Sequence, residues 1–356
     1  MNACESNDLP VQHADSYDYI TFAAKMQKEI TRAREYEGYD ANKHPQTMGA
    51  FGFYNLPTHD FSSTEGEIFK NETVTYDETS KCWKTKPEKK WDDYKNMNFD
   101  FFGYMPWNKD ATLTNSSTQE STYVLSIPYT IPTINDKPSP ILFEKDLKQA
   151  PIICALPEHK IGTTAEGKEQ TFERVVELKF DQTLTGYYLN FKLDTRMNKL
   201  RYFRIKGVKI GGKLPTAGNV TRTYKFNGSN WTADDIKWTD LKTSDFDANS
   251  GIVLENKELE LKDDQYHRWG ATFYAIADAS FVPIIAVTYD VILKDEKGET
   301  VTRKDVTSTI TLGKTFFESL DPGKTATIYP INIFIQPRYL YVLADQDAYT
   351  GHLLIQ

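Results

Sequence analysis

The side chains that most often carry out catalysis occur in this sequence, but not in the spacing of catalytic motifs. Its six histidines are scattered, and no HExxH or HxH spacing sets two imidazoles on one metal. There is no GxSxG elbow, and the three cysteines have neither CxxC spacing nor the local signature of a nucleophile. The sequence therefore predicts no catalytic residue, no metal site, no cofactor and no enzymatic activity.

Two questions stay open for the cysteines. Cys82 and Cys154 either pair in an oxidising compartment or remain as two buried thiols. Cys4 lies in residues 1–16, a polar stretch without an apolar period that we interpret as a tether. If a signal peptide precedes the sequence, Ala3-Cys4 ends a bacterial lipobox and Cys4 carries the lipid; otherwise Cys4 is incidental.

Acidic pairs, a glycine-rich stretch and tryptophans are the other groups with binding chemistry. The pairs Asp92-Asp93, Asp234-Asp235 and Asp263-Asp264 are typical of solvated turns, with calcium as the alternative. The glycine-rich stretch 206–212 lacks the phosphate-loop spacing and is predicted to form a hairpin turn. Several aromatic residues either stack on sugar rings or fill a core, namely Trp83 and Trp91, Trp107 with Tyr104, and Trp231 with Trp238. Core packing is the commoner use of aromatic residues at strand spacing.

Length and charge limit the class of protein. The chain has 356 residues and a formal net charge of −8, and it has no block rich in lysine or arginine, so nucleic acid is not an expected partner. Its longest apolar run, 281–287, is interrupted by Pro283 and is too short for a membrane-spanning helix. The length suggests about two domains.

Short runs of aromatic and β-branched residues, separated by turn residues, predict β-strands from Tyr17 to the C-terminal region. Six prolines between Pro128 and Pro157 exclude central strands from much of that stretch. Asp295-Glu-Lys-Gly298 predicts a hairpin between two strong strands. We therefore expect an all-β chain with two β-sandwich domains in tandem, at residues 17–158 and 159–356.

An ordered set of motifs runs through the chain: Ile20-Thr-Phe22, Thr31-Arg-Ala-Arg34, Gly49–Tyr54, Phe69–Tyr76, Trp83, Trp91, Met97–Pro106, Val175–Leu193 and Leu320–Ile328. In this order they resemble the fimbrillin-like proteins of Bacteroidales, in which a strand precedes a "TRA" loop and a later strand ends in an aromatic "FFAYxP" motif. The resemblance covers roughly residues 17 to 345. Asp181 stands where many relatives carry a histidine, and Gly103 replaces the usual alanine.

The resemblance implies transthyretin-like sandwich domains and a structural subunit of a type V pilus. It implies export as an outer-membrane lipoprotein anchored at Cys4, and cleavage at Arg32 or Arg34 by an arginine-specific protease. The first strand, with Ile20 and Phe22 on one face, would then leave. A donor strand from another subunit would refill the groove, with Leu340, Val342, Leu353 and Ile355 as the candidate donor residues.

An alternative class is a pilus-tip adhesin or a monomeric surface lipoprotein that binds a glycan or a host ligand through its aromatic residues. Its partner would be a host or bacterial surface, whereas a stalk subunit would bind other pilus subunits. Without the resemblance, Thr31–Arg34 is an ordinary basic loop. The physical argument for strand exchange stands by itself, because a fold that lacks one strand exposes an apolar trench and unpaired backbone groups that an added strand satisfies.

Overall fold

The structure is a computed structural model that describes residues 19–28, 35–56, 61, 64–94, 97–115, 121–134, 136–162, 174–194, 201–248, 251–255, 257–276, 278, 282–295, 297–312, 328–337 and 350–355. Over these residues the chain is almost entirely β-structure, as the sequence predicts. Within the same residues, no helix has both the length and the apolar character needed to cross a membrane.

The strands of the first half are β1 (Thr21–Gln27), β2 (Tyr36–Gly38), β3 (Thr47–Tyr54), β4 (Glu67–Asp77), β5 (Cys82–Thr85), β6 (Phe99–Met105), β7 (Thr112–Asn115), β8 (Thr122–Thr130), β9 (Ile141–Phe143), β10 (Ile152–Cys154) and β11 (Glu158–Lys160). Those of the second half are β12 (Val175–Gln182), β13 (Thr185–Leu193), β14 (Arg201–Phe226), β15 (Trp231–Ala233), β16 (Lys237–Phe246), β17 (Ile252–Glu255), β18 (Leu259–Leu261), β19 (His267–Ala275), β20 (Ile284–Asp295), β21 (Gly298–Thr311), β22 (Ile328–Pro337) and β23 (Thr350–Ile355). Short 3₁₀ segments lie at Trp91–Tyr94 and Glu144–Gln149.

The chain divides into two compact units, each made of three stretches. The first comprises the chain up to Tyr129, Lys145–Thr183 and Gly218–Asp240; the second comprises Thr130–Glu144, Leu184–Ala217 and Leu241–Gln356. These stretches alternate along the sequence, whereas the proline-rich segment led us to expect two contiguous domains. A domain boundary can be predicted from the sequence where the local composition changes. Strand pairing between distant segments produces no such change in composition, so the sequence does not reveal it.

The first unit contains a closed barrel of seven strands in the order β10-β12-β1-β5-β4-β3-β6. It closes because β10 pairs with β12 on one side and with β6 on the other. The predicted sandwich architecture is therefore not confirmed for this unit. Aromatic side chains that alternate along the strands point inward and fill the barrel, among them Phe22, Phe69 and Phe101.

The second unit has one core between two sets of strands. One is the sheet β23-β22-β13-β19-β9, and the other consists of β21, β20 and residues 201–217 of β14, with β17 and β18 also paired to β14. Alternate residues of both sets are buried, such as Phe191 and Ile333 on one side and Phe203 and Val287 on the other. The predicted hairpin is confirmed, because β20 and β21 pair antiparallel up to Asp295 and Gly298.

The glycine-rich stretch 206–212 is not the hairpin turn that we predicted. It lies inside β14, a continuous strand of 26 residues, and the pairing with β20 shifts register between Ile205 and Gly207. Its glycines allow neighbouring backbone to approach closely, and they do not reverse the direction of the chain. A Cβ atom on Gly211 would come within 2.5 Å of the Ala248 backbone, and Gly212 has a φ of +105°.

Candidate functional site

Strand β1 fills the barrel with alternate side chains. Ile20, Phe22, Ala24 and Met26 are buried, whereas Thr21, Ala23 and Lys25 between them are partly exposed. The Phe22 ring lies 5.6 Å from that of Phe69 and 6.0 Å from that of Phe101, measured between centroids. The strand thus supplies one row of the aromatic core, and the row has a small residue at its third place.

The two edges of β1 are held differently. Along one edge, Thr21 to Met26 pair in parallel with Val175 to Phe180 of β12. The other edge is shared between neighbours, because β5 pairs only at Phe22 and β2 pairs at Lys25 to Gln27. Loss of β1 would therefore leave the full β12 edge unpaired and would open the barrel between β12 and β5.

Aromatic residues pack at the β5 side of β1. The Tyr39 ring lies 4.9 Å from Trp83 and 4.7 Å from Tyr76, and burial raises the pKa of its hydroxyl. His44 packs on the same ring at 5.9 Å, and its Nδ1 lies 3.0 Å from the carbonyl oxygen of Asp40. Burial lowers the pKa of the His44 imidazole, so the fold favours its neutral form.

Residues 29–34 join β1 to β2 and include Arg32 and Arg34, which lie outside the described residues. The two residues that flank this segment are close together. The Lys28 amide donates to the Glu35 carbonyl at 2.8 Å, and their exposed side chains form an ion pair at 3.3 Å. The candidate cleavage residues therefore lie in a short connection between paired antiparallel strands.

A buried ion pair lies beside β2. Arg222 Nη1 donates to Asp181 Oδ2 at 2.7 Å, and both side chains are almost fully buried. Tyr36 of β2 donates its hydroxyl to Asp181 Oδ1 at 2.7 Å. Arg222 and Tyr224 also donate to the Cys154 carbonyl, at 3.2 and 2.6 Å. Asp181 was noted in the sequence, but this cluster was not predicted. The available signal was that Val220, Arg222 and Tyr224 are alternate residues, so a charged side chain stands at a position where the pattern predicts a buried apolar one.

The C-terminal strand folds back within the chain. Strand β23 pairs in parallel with β22, with Leu353 in register with Ile335 and Ile355 with Pro337. It forms one edge of its sheet. The other two candidate donor residues, Leu340 and Val342, lie outside the described residues, as does Cys4.

Most of the predicted aromatic candidates are core residues. Trp83, Trp91 and Trp231 are buried, and Trp231 donates its indole N–H to the buried Asp100 at 2.8 Å. Trp107 is 39% exposed and donates to the Asn71 carbonyl at 3.0 Å. Trp231 therefore fills the core, which is one of the two uses that the sequence left open for it.

Cys154 is a free, buried thiol, so it does not pair with Cys82. Burial is the main cause of its raised pKa. The thiol is therefore held in its neutral form, which is the less nucleophilic one. Over the described residues, no three histidine, cysteine or acidic side chains are grouped so that they could hold a metal ion.

Comparison with known proteins gives matches among solved structures only. No family model and no curated protein matches the sequence. A fimbrial protein from Bacteroides vulgatus is 16% identical, with a TM-score of 0.45 over 88% of this chain and 95% of that one. The fimbrial anchor protein Mfa2 from Porphyromonas gingivalis is 9% identical, with a TM-score of 0.35 over 89% of this chain and 90% of that one.

A fimbrial protein from Bacteroides ovatus is 9% identical, with a TM-score of 0.30 over 95% of this chain and 50% of that one. Over most of its length, the chain is similar to fimbrial proteins of Bacteroides and Porphyromonas.

Proposed function

We propose that this chain is a structural subunit of a cell-surface fimbria, without enzymatic activity, that polymerises by protease-triggered strand exchange. In this proposal the precursor is an outer-membrane lipoprotein with its lipid on Cys4. An arginine-specific protease cuts at Arg32 or Arg34, β1 leaves, and a C-terminal segment of another subunit takes its place. The observation that carries the proposal is β1 itself, the first strand that the structure describes, which completes the barrel and is followed at once by an arginine-bearing connection.

The slot that β1 occupies would select its replacement. It accepts apolar side chains at every second residue, and a strand that reproduces the β1 pairing would run parallel to β12. The inward residues of β1 run Ile20, Phe22, Ala24 and Met26. An incoming strand therefore needs a small residue at the third place, because an extra side chain in a packed core costs about 1–3 kcal/mol.

One C-terminal segment matches this order. Leu340, Val342 and Ala344 repeat the order large, large, small that Ile20, Phe22 and Ala24 of β1 present. The second candidate segment, with Leu353 and Ile355, already pairs with β22 as β23. We therefore assign residues 340–346 as the donor strand, with Val342 at the place of Phe22 and Ala344 at the place of Ala24.

The proposal is tested with an arginine-specific protease, followed by an intact mass and an SDS gel without boiling. The expected result is a cut after Arg32 or Arg34, loss of the N-terminal fragment and a ladder of multimers. A matched Arg32→Lys/Arg34→Lys variant keeps both charges and should stay monomeric under the same protease.

A cut that leaves only monomer would contradict strand exchange and would favour the tip or monomeric adhesin. A ladder that forms equally well in the uncut variant would also contradict it, because assembly would then not depend on the release of β1.

A further inference from the structure

Two cations on the outer face of the second unit have no acidic partner among the residues that the structure describes. Lys192 of β13 and Arg268 of β19 lie on this face of the sheet, and Arg268 pairs in register with Asn190, two residues from Lys192. Neither forms an ion pair with a described residue, although the chain carries a net charge of −8. By contrast, Arg204 and Lys225 each bind an acid, at 2.9 Å in both cases.

Both cations are held in place by aromatic rings. The Arg268 guanidinium carbon lies 4.5 Å from the centroid of Tyr188, and Arg268 Nη2 donates to Thr272 at 2.8 Å. Lys192 Nζ lies 5.3 Å from the centroid of Tyr266 and 5.9 Å from that of Phe334. Side chains that are already ordered lose little conformational entropy when a ligand binds, and a stacked guanidinium keeps its free N–H groups directed outward.

The acids of the preceding turn do not neutralise this face. Asp263 accepts a hydrogen bond from His267 at 2.6 Å, and Asp264 accepts one from Gln265 at 3.3 Å. Residues two places apart on neighbouring strands are about 7–8 Å apart at Cα, so Lys192 and Arg268 are set to meet two separate anionic groups. The face therefore fits a ligand that carries repeated negative charge.

Two amide side chains lie beside the cations. Asn190 Nδ2 donates to Asn332 Oδ1 at 3.0 Å across the paired strands β13 and β22, and this bond does not use the Asn190 oxygen or the Asn332 amino group as its acceptor or donor. Such a pair can both donate to and accept from hydroxyl groups. Tyr266, which is 43% exposed, offers an apolar ring beside them.

We propose that this surface, formed by Lys192, Arg268, Asn190 and Asn332, binds an anionic polysaccharide that carries carboxylate or sulfate groups. The cations pair with the acidic groups, the amides with hydroxyls, and the extended face of the sheet accommodates a linear chain. The proposal does not depend on strand exchange, because every residue of this surface belongs to the second unit, whereas β1 belongs to the first.

The test measures binding of size-fractionated heparin and of polygalacturonate to the full chain. Lys192→Gln/Arg268→Gln should weaken binding by about tenfold or more, the effect of losing a charge-assisted hydrogen bond. The control Lys237→Gln/Lys304→Gln removes the same charge from two exposed lysines elsewhere and should change affinity far less. Thermal melting of both variants establishes that each remains folded.

Three results would overturn the proposal. Equal weakening in the control variant would mean a general charge effect, and equal binding of neutral dextran would mean that the anionic groups are not recognised. Equal or tighter binding of polyglutamate, or of vesicles containing anionic phospholipid, would mean that the face recognises charge without a saccharide. Binding of both acidic polysaccharides that is lost only in Lys192→Gln/Arg268→Gln supports it.

Discussion

Asp181 and Arg222 form an ion pair inside the first unit, at 2.7 Å and away from solvent. A charge that is buried without a partner is costly, so the removal of either residue destabilises the fold through the charge that is left behind. Alternation along β14 puts Arg222 on the inward face, and this much is visible in the sequence. The identity of its partner, 41 positions earlier, follows from a tertiary contact between β14 and β12 that no local pattern encodes.

Asp181→Asn should therefore destabilise the fold by about 3–5 kcal/mol, because it leaves the Arg222 charge buried and unpaired. The double variant Asp181→Leu/Arg222→Met should cost much less, since no charge then remains. Urea unfolding measures both. Asp234→Asn, which breaks the exposed pair with Lys225, serves as the control and should cost less than about 1 kcal/mol. Similar losses in the single and double variants would show that the pair does not act as a unit.

His44 makes the stability of the first unit depend on pH. Its pKa is lower in the folded chain than the ordinary value of 6.5, because the imidazole is buried. The free energy of unfolding is therefore unaffected by this group above pH 6.5. It declines as the pH falls below 6.5, because the unfolded chain then binds the proton more readily than the folded chain. We expect His44→Gln to lose less stability than the wild type between about pH 7.5 and 5.5. An identical loss in urea unfolding would contradict this assignment.

Strand β1 is the element on which the proposed function depends. Its apolar alternation at Ile20 and Phe22 is visible in the sequence, and the structure buries both side chains in the barrel. The closure of the barrel was not predicted, because it requires β10 to pair with both β6 and β12, and short apolar strands do not specify their neighbours. The length of β14 was missed for a related reason, since glycines that permit close packing have the same appearance as turn glycines.

The position of Ala24, the third inward residue of β1, leads to a prediction for the donor segment. Ala344→Leu should reduce multimer formation after cleavage severalfold, because the larger side chain must enter the place that Ala24 occupies in the uncut chain. Val342→Leu, at the place of Phe22, should assemble as well as the wild type. Quantitative gels without boiling compare the two. Equal assembly of both variants would show that residues 340–346 do not enter the slot in this register.

At the scale of the whole chain, the sequence predicts the all-β class and many of the individual strands. It does not predict how the chain is shared between the two units, since each unit is completed by segments that are far apart in sequence. Aromatic residues gave the clearest signal for the core, with Trp83, Trp91 and Trp231 all buried. The surface of Lys192 and Arg268 escaped sequence analysis, because only the register of β13 with β19 brings them together.

The central claim is that a segment of one copy replaces β1 in another, and cross-linking between copies tests it most directly. Glu177 lies on β12 in register with Ala23, on the partly exposed face of the strand. In the proposed donor register Leu343 takes the place of Ala23. Copies with Glu177→Cys are mixed with copies with Leu343→Cys, cleaved with the arginine-specific protease and treated with a short bismaleimide.

Strand exchange in this register predicts cross-linked dimers that appear only after cleavage, and far fewer when Leu343→Cys is replaced by Val342→Cys, whose side chain would face the core. Cross-linking that is equal before and after cleavage, or equal for the two donor positions, would contradict the account.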